Sequence, residues 1–157
     1  MNDINGCGAE VLKITRYSKK FFPTVLPLIR EGTKGWGKSW VREIVGAYSK
    51  QPGEAYLAYA EDRIVGTMLL RREVQALVIY FLVVKKKERL KNIGSSLVKF
   101  AERIARKEKR ILRVDVAREF EGNVKFYLKL GFKKCGRVKN FYQQGDEQIF
   151  LYKVPSK

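Results

Sequence analysis

A run of basic residues ends in small residues at the point where a helical pattern begins. The segment Lys85–Lys91 carries five Lys and Arg residues in seven positions, and Gly94 and Ser95 follow it. The first turn of a helix leaves backbone N–H groups unpaired and carries about half a positive charge. Gly and Ser let an anion approach those groups closely. The pattern therefore predicts either a site suited to a pyrophosphate or an ordinary basic turn with a helix cap.

The residue inventory argues against several other chemistries. The chain has no His, which removes a Ser-His-Asp triad and most zinc chemistry. The two cysteines, Cys7 and Cys135, show no metal-ligand spacing, so we expect no metal site. The basic loop also lacks the GxxxxGK[ST] and GxGxxG patterns of common nucleotide-binding loops.

Length and charge limit the architecture and the partners. A chain of 157 residues with 45% hydrophobic residues is expected to form one domain, over 10–157, after a flexible tail over 1–9. The longest apolar run is too short to cross a bilayer as a helix, and the first residues do not resemble a secretory signal. We therefore expect no membrane association and a cytoplasmic location. The net charge of +17 has two interpretations. It attracts polyanionic partners, or it only keeps the protein soluble.

Hydrophobic periodicity predicts the elements on either side of the basic loop. The segment Val74–Val84 is apolar almost throughout and predicts a central strand. Apolar residues then recur at helical spacing across Gly94–Lys107, and "RILRVDVA" predicts the next strand. Two strands joined through a helix in this way form a parallel crossover. The basic loop would thus connect a buried strand to the start of the crossover helix.

The remaining segments continue an α/β pattern. Ser18 is expected to cap a first helix that runs to about Arg30, and a second helix carries an apolar stripe. The predicted fold class is therefore α/β, with a mixed sheet of about seven strands and about four helices. The other predicted elements are a strand over Glu10–Tyr17, a hairpin of "AYLAYA" and "IVGTMLLRR", a helix "EGNVKFYLKLGF" closed by Gly131, and strands over Lys133–Lys139 and Gln148–Lys153.

Two segments resemble motifs of the GCN5-related N-acetyltransferase (GNAT) family. The segment "LVVKKKERLKNIGSSLV" resembles motif A, written L-x-V-x-P-x-x-R-x-x-G-x-G/A. Lys86 stands where proline is usual, and Asn92 stands where the first glycine is usual. The segment "FYLKLGF" resembles the second family signature near the C-terminus. The resemblance implies a single-domain acyl-CoA N-acyltransferase fold whose sheet splays between the fourth and fifth strands. Four positions match the fixed letters of motif A: Leu82, Val84, Arg89 and Gly94.

The resemblance also implies acetyl-CoA as cofactor, without a metal. Backbone groups of the long strand would pair with the pantetheine arm, and the basic loop would surround the pyrophosphate. Asn tolerates positive φ, so we predict that Asn92 has positive φ or donates its amide to the cofactor. Phe120 replaces a family asparagine, which leaves Asn123 as the nearby alternative. The implied cofactor-binding residues are Leu82, Val83, Val84, Arg89, Leu90, Lys91, Asn92, Ile93, Gly94, Ser95 and Asn123.

The resemblance assigns the catalytic and acceptor-binding residues. Tyr127 occupies the position of the family's general acid, with a packed helix tyrosine as the competing interpretation. Asp115 aligns with the acidic position proposed as base in bacterial ribosomal-protein N-terminal acetyltransferases, acting directly or through a water chain. Its competing interpretation is a strand carboxylate paired with a Lys or Arg. Trp36 and Tyr142 are the implied substrate-binding residues.

The implied reaction is direct attack of a primary amine on acetyl-CoA in a ternary complex. The closest pattern is the ribosomal-protein N-terminal alanine acetyltransferase type, so a protein or peptide N-terminus is the expected acceptor. Two alternatives stay open: a small-molecule amine acetyltransferase acting on an amino acid, polyamine or antibiotic, and a non-catalytic basic module that binds nucleic acid. The charge is compatible with association with the ribosome or another polyanion. The resemblance also makes a homodimer an option.

Overall fold

The described part of the chain contains seven strands and four α-helices in the order β-α-α-β-β-β-α-β-α-β-β. The computed structural model describes residues 12–50, 54–89 and 91–156, so the expected tail over 1–9 lies outside the described residues. The strands are β1 Leu12–Arg16, β2 Ala55–Ala60, β3 Arg63–Arg72, β4 Ala76–Val84, β5 Ile111–Ala117, β6 Lys133–Lys139 and β7 Glu147–Lys153. The helices are α1 Phe22–Gly32, α2 Lys38–Lys50, α3 Ile93–Lys107 and α4 Glu121–Lys129.

The strands form one mixed sheet in the order β1-β2-β3-β4-β5-β7-β6. β4 and β5 run parallel on either side of the α3 crossover, as predicted, whereas β5, β7 and β6 pair antiparallel. The parallel pairing joins Ala76–Ile79 to Ile111–Val114, although β4 continues to Val84. The pairing of β4 with β5 therefore stops before the end of β4, and the family resemblance predicts that these two strands diverge. β6 closes the sheet, and all seven of its residues are exposed.

The described residues cluster into two compact units. One contains the residues up to Leu70 together with Phe81–Val98, and the other contains Arg71–Tyr80 together with the residues from Lys99 onward. In the first unit, the buried Tyr48 hydroxyl lies 2.8 Å from Thr67 Oγ1, and the Tyr17 hydroxyl donates to the Tyr48 carbonyl at 2.9 Å. Buried polar groups left unpaired cost about 1–3 kcal/mol each. These bonds therefore fix α2 against β3 and the end of β1.

Two predicted boundaries are wrong. Ser18 makes no side-chain capping bond; a 3₁₀ turn over Lys19–Phe21 follows it, and α1 begins at Phe22. Pro23 accounts for the later start, because proline favours the first turn of a helix, where its missing N–H costs nothing. The long strand begins at Ala76 rather than Val74, whose side chain is 88% exposed.

Candidate active site

The basic loop lies between the end of β4 and the first turn of α3. Its entry is fixed because the Lys85 N–H donates to the Val65 carbonyl at 2.8 Å. Its exit is fixed because the Ser96 N–H and hydroxyl both donate to the Asn92 carbonyl, at 3.0 and 2.9 Å. Asn92 has a φ of 61°, so the predicted positive φ is confirmed. The chain thus turns into α3 through a left-handed residue, at the position where motif A has glycine.

A single acidic residue inside the loop, Glu88, pairs with one cation of the loop and one cation of β3. Glu88 is only 5% exposed, and its two carboxylate oxygens accept from Lys91 Nζ at 2.8 Å and Arg63 Nη1 at 3.1 Å. The hydrogen bond from Lys91, with a smaller contribution from Arg63, lowers the pKa of Glu88. The ionised carboxylate therefore anchors the loop to the start of β3.

A second carboxylate reaches the loop from the end of α1. Glu31 Oε1 accepts the Lys86 backbone N–H at 2.7 Å and lies 3.6 Å from Arg89 Nη2. Arg89 Nε also donates to the Val84 carbonyl at 3.1 Å. The guanidinium of Arg89 is therefore held beside the last residue of β4. The sequence pattern did not reveal Glu31, Glu88 or Arg63 as loop partners.

The electrostatics of the loop fit an anion. Five cations and one acid occupy Lys85–Lys91, and the first N–H groups of α3 add the positive end of the helix. Ile93 buries its side chain, whereas Gly94 and Ser95 are half-buried and Asn92 is exposed. Backbone N–H groups at the start of α3 are therefore presented beside small side chains. Leu90 lies outside the described residues.

The last residues of β4 belong to the same unit as the loop. Leu82 is half-buried, and Val83 and Val84 are buried. Trp36 packs edge-on against Phe81, with ring centroids 5.8 Å apart. The predicted acceptor-binding tryptophan thus contacts the residue that precedes the predicted pantetheine-binding segment.

Tyr127 and its aromatic neighbours lie in the other unit. Tyr127 is 6% exposed, and its ring meets Phe126 and Phe132 edge-on at centroid distances of 5.0 and 5.3 Å. Burial raises the pKa of Tyr127 above that of a free tyrosine. The hydroxyl therefore stays protonated at neutral pH and is available as a hydrogen-bond donor. Asn123 is exposed in the first turn of α4.

Asp115 is paired with an arginine on its own strand. Arg113 Nε lies 3.2 Å from Asp115 Oδ1, and Arg113 Nη2 lies 3.4 Å from Oδ2. Burial raises the pKa of Asp115, and Arg113 opposes that shift, with a net rise. Asp115 thus forms the strand ion pair that was the alternative to a catalytic role. Its raised pKa also makes it a stronger base than an ordinary aspartate, which favours a role as general base.

Asp115 and α4 lie on opposite faces of β5. Asp115 is opposite Phe150 in the β5–β7 ladder, whereas Val116 is opposite Ile149. Ile149 lines a groove of about 620 Å³ together with residues of α4 that include Val124. Successive strand residues alternate between faces, so α4 covers the Val116 face. The structure therefore places Asp115 on the far face from the helix that carries Tyr127.

Exposed aromatic rings contact Phe150, the cross-strand neighbour of Asp115 in β7. Phe141 packs edge-on against Phe150 at 5.2 Å, and Tyr142 packs edge-on against Phe141 at 4.5 Å. Phe141 is 45% exposed and Tyr142 is 39% exposed. The predicted acceptor-binding Tyr142 is therefore linked through the ring of Phe141 to Phe150, the cross-strand neighbour of Asp115. Phe150 escaped the sequence analysis because the β5–β7 register has no local signal.

Residues 19–132 match the family described as Acetyltransferase (GNAT) family. The match covers both motifs and the β4–α3–β5 crossover. The chain belongs to this family. None of the curated proteins matches this GNAT chain.

Solved structures share the GNAT fold of this chain. A GNAT family acetyltransferase from Elizabethkingia anophelis with acetyl-CoA bound has a TM-score of 0.75 and 20% identity, covering 91% of this chain and 97% of its own. The ribosomal-protein-S18-alanine N-acetyltransferase from Escherichia coli has a TM-score of 0.75 and 11% identity, covering 93% and 95%. An aminoglycoside 6'-N-acetyltransferase complexed with coenzyme A has a TM-score of 0.72 and 18% identity, covering 92% and 98%.

Neither a metal-binding cluster nor a membrane-spanning helix occurs in the part of this GNAT chain that the structure describes. Within 12–50, 54–89 and 91–156, no group of three or more His, Cys, Asp and Glu residues is arranged to hold a metal ion. In the same ranges, no helix is long and apolar enough to span a membrane.

Proposed function

We propose that this GNAT protein transfers an acetyl group from acetyl-CoA to a primary amine by direct attack, with a protein or peptide N-terminus as the acceptor. The observation that carries the proposal is the loop from Lys85 to Ser95. It joins a buried strand to a helix N-terminus through the left-handed Asn92, and it contains five cations. The left-handed residue turns the chain so that the basic segment leads directly into the first turn of α3, whose unpaired N–H groups suit an anion.

The residues of the loop and of β4 fit the cofactor. Its phosphates are anionic, and Arg89, Lys91 and the first N–H groups of α3 are the groups that would hold them. The β4 segment Leu82–Val84 extends beyond the last residue paired with β5, so its backbone would pair with the amide-containing arm of the cofactor. When bound, acetyl-CoA supplies an acetyl group activated as a thioester.

The acid and the base have separate positions in this proposal. Tyr127 donates a hydrogen bond to the departing sulfur, and its raised pKa keeps that donor protonated. Asp115 accepts a proton from the amine, directly or through water. The two lie on opposite faces of β5, which fits a substitution in which the nucleophile and the leaving group occupy different sides of the carbonyl carbon.

The acceptor proposal rests on the strength of the base and on the aromatic rim. An α-amino group has a pKa near ~8, so it needs less help than a lysine side chain near ~10.4. A carboxylate, even one whose pKa is raised by burial, remains a weaker base than either amine and suits the more acidic one. The exposed Phe141 and Tyr142 offer stacking area for a peptide end. The similar Escherichia coli enzyme is named for acetylating an alanine of a ribosomal protein.

Fold similarity alone does not separate peptide acceptors from small amines, since the aminoglycoside enzyme has a comparable TM-score. A turnover screen with acetyl-CoA separates them. The panel contains short peptides with free N-termini, the same peptides blocked at the N-terminus, polyamines, amino acids and an aminoglycoside. We expect turnover with free peptides and none with blocked ones. Turnover with the aminoglycoside alone would replace the acceptor proposal.

Calorimetry tests the cofactor step separately. We expect acetyl-CoA to bind with micromolar or tighter affinity at moderate salt, and Arg89→Met to weaken binding by about tenfold or more, since a charge-assisted hydrogen bond contributes about 1.5–3 kcal/mol. Lys99→Met is the control for the loss of one positive charge, because Lys99 is exposed on α3. This variant should bind acetyl-CoA like the wild type. An absence of acetyl-CoA binding, together with nucleic-acid binding, would favour the non-catalytic alternative.

A further inference from the structure

Arg113 holds two carboxylates with one guanidinium. Its Nη1 and Nη2 lie 2.6 and 3.2 Å from the Glu73 oxygens. Its Nε and Nη2 lie 3.2 and 3.4 Å from the Asp115 oxygens. A guanidinium offers five N–H donors in a fixed plane and stays charged at all relevant pH values. Glu73 and Asp115 therefore share a single positive charge.

Glu73 is held in place independently of Asp115. It lies in the turn before β4, where its N–H donates to the Ala76 carbonyl at 2.9 Å. The guanidinium of Arg110 donates to the carbonyls of Glu73 and Val74. The backbone of Glu73 is therefore fixed in a position from which its side chain reaches Arg113.

The other groups on this face of β5 do not replace that contact. Asp115 is opposite Phe150, and the neighbouring pair on its open side is Ala117 with Gln148; all three are uncharged residues. Arg113 is opposite Tyr152, which is in turn opposite Lys133. The titratable groups from β7 and β6 therefore adjoin Arg113 rather than Asp115. On the β4 side, Val78 is the registered partner of Arg113, so Tyr80 lies beside Asp115 on this face, and Arg71 stacks on the Tyr80 ring at 4.7 Å. The side-chain hydrogen bonds to the Asp115 carboxylate come from Arg113, which also contacts Glu73.

We propose that Arg113 is a positioning residue for Asp115, and that Glu73 sets the strength of this hold by sharing the guanidinium. The catalytic meaning of this inference rests on the proposed function, in which Asp115 is the base. Two donors from Arg113 use part of the lone-pair capacity of the Asp115 carboxylate and orient its plane. The remaining lone pairs stay available to an amine or a water molecule.

Glu73 makes Asp115 a better base than an Arg-paired carboxylate would be alone. Burial raises the pKa of Asp115, Arg113 lowers it, and the negative charge of Glu73 raises it again. Loss of the Glu73 charge leaves the full positive charge of Arg113 to Asp115, so the pKa should fall. Loss of the Arg113 charge removes the cation that is hydrogen-bonded to Asp115, so the pKa should rise. If Arg113 is shared in this way, removing the charge of Glu73 and removing the charge of Arg113 must shift the pKa of Asp115 in opposite directions.

The test measures the protonation of Asp115 directly. The carboxyl carbon of Asp115 is titrated by NMR in the wild type, Glu73→Gln, Arg113→Met and Arg113→Lys. We expect Arg113→Met to raise the midpoint by about one pH unit or more and Glu73→Gln to lower it by about half a unit. Arg113→Lys keeps the charge and should restore much of the wild-type midpoint. Glu102→Gln is the matched control, because Glu102 pairs with Lys153 and should leave the midpoint unchanged.

The outcomes separate this inference from the proposed function. Unchanged midpoints, or shifts of the same sign in Glu73→Gln and Arg113→Met, would overturn the inference whatever the enzyme catalyses. Opposite shifts support the coupling without any turnover assay. The acid limb of the rate profile should then move with each midpoint. If the limb stays in place while the midpoints move, Asp115 is not the base and only the catalytic part of the proposed function is lost.

Discussion

Gly32, the last residue of α1, packs directly against Val83 of β4. A β-carbon added at position 32 would lie 2.7 Å from Val83 Cβ and 2.8 Å from Phe81 Cζ. Real side chains do not approach that closely, so only glycine fits. The contact lets α1 approach the strand segment that leads into the basic loop, and the same helix end supplies Glu31 to that loop.

Replacement of Gly32 with Ala is expected to lower the free energy of unfolding by about 1–3 kcal/mol, because the added methyl group overpacks β4. Chemical denaturation measures the change. Gly46→Ala is the matched control, since among the described residues no atom lies within 4 Å of a β-carbon built there. Ala at position 46 of α2 should stabilise by about 0.5–1 kcal/mol. Wild-type stability of Gly32→Ala would contradict the close packing.

Asn92 should tolerate glycine and reject a β-branched residue. Its φ of 61° lies in the left-handed region, which Gly occupies freely and Val avoids. We expect Asn92→Gly to bind acetyl-CoA within about threefold of the wild type, whereas Asn92→Val loses about tenfold, equivalent to about 1.4 kcal/mol of strain. Asn140, with a φ of 54° in the β6–β7 connection, provides the control. Asn140→Val should lower stability without changing acetyl-CoA affinity; equal affinity losses in both Val variants would argue against a specific role for Asn92.

Glu88 should make the loop sensitive to acid. Its folded pKa lies below its ordinary value, so its contribution to stability is complete above the unfolded pKa near ~4.3 and is lost as pH falls through the folded pKa. Urea denaturation of the wild type and Glu88→Gln at a series of pH values tests this. The wild type should be more stable at pH 7, and the difference should shrink below about pH 4.3. A difference that does not change with pH would show that the lost carboxylate charge is not its cause.

Tyr127→Phe should lower turnover more than it lowers acetyl-CoA affinity. The ring would keep its packing against Phe126 and Phe132, and only the hydroxyl is removed. We expect a fall in kcat of about 100-fold, the usual contribution of a positioned acid, with little change in the Kd for acetyl-CoA. Because burial raises the pKa of Tyr127, the wild-type rate should show no loss from tyrosine ionisation below about pH 10. Phe126→Leu tests for general disturbance of α4, and equal kcat losses in both variants would contradict a role for the hydroxyl.

The parts of the site that the sequence predicted correctly have local signals. Apolar periodicity on both sides of the basic run predicted β4, α3 and β5, and the Asn at a glycine position predicted the left-handed turn. The predicted start of α1 failed because Ser18 gave a capping signal, whereas Pro23 five residues later favoured a start at Phe22.

The parts that escaped prediction depend on contacts between distant segments. Glu31 lies 55 positions before the Lys86 N–H that it accepts, and Phe150 lies opposite Asp115 only because β7 inserts between β5 and β6. Nothing in a single sequence fixes such a register. The sharing of Arg113 between Glu73 and Asp115 likewise requires the turn before β4 to lie beside β5.

The exposed strand β6 has a consequence for behaviour in concentrated solution. An open sheet edge offers unpaired backbone groups to another chain and so favours aggregation. The seven residues of β6 include four cations and no acid, so two molecules approaching edge to edge would bring equal charges together. The repulsion acts over about 30 Å at 0.01 M salt and about 3 Å at 1 M. The charge on this edge therefore disfavours edge-to-edge association of molecules at low salt. At high salt the repulsion is screened, and such association is no longer opposed by charge.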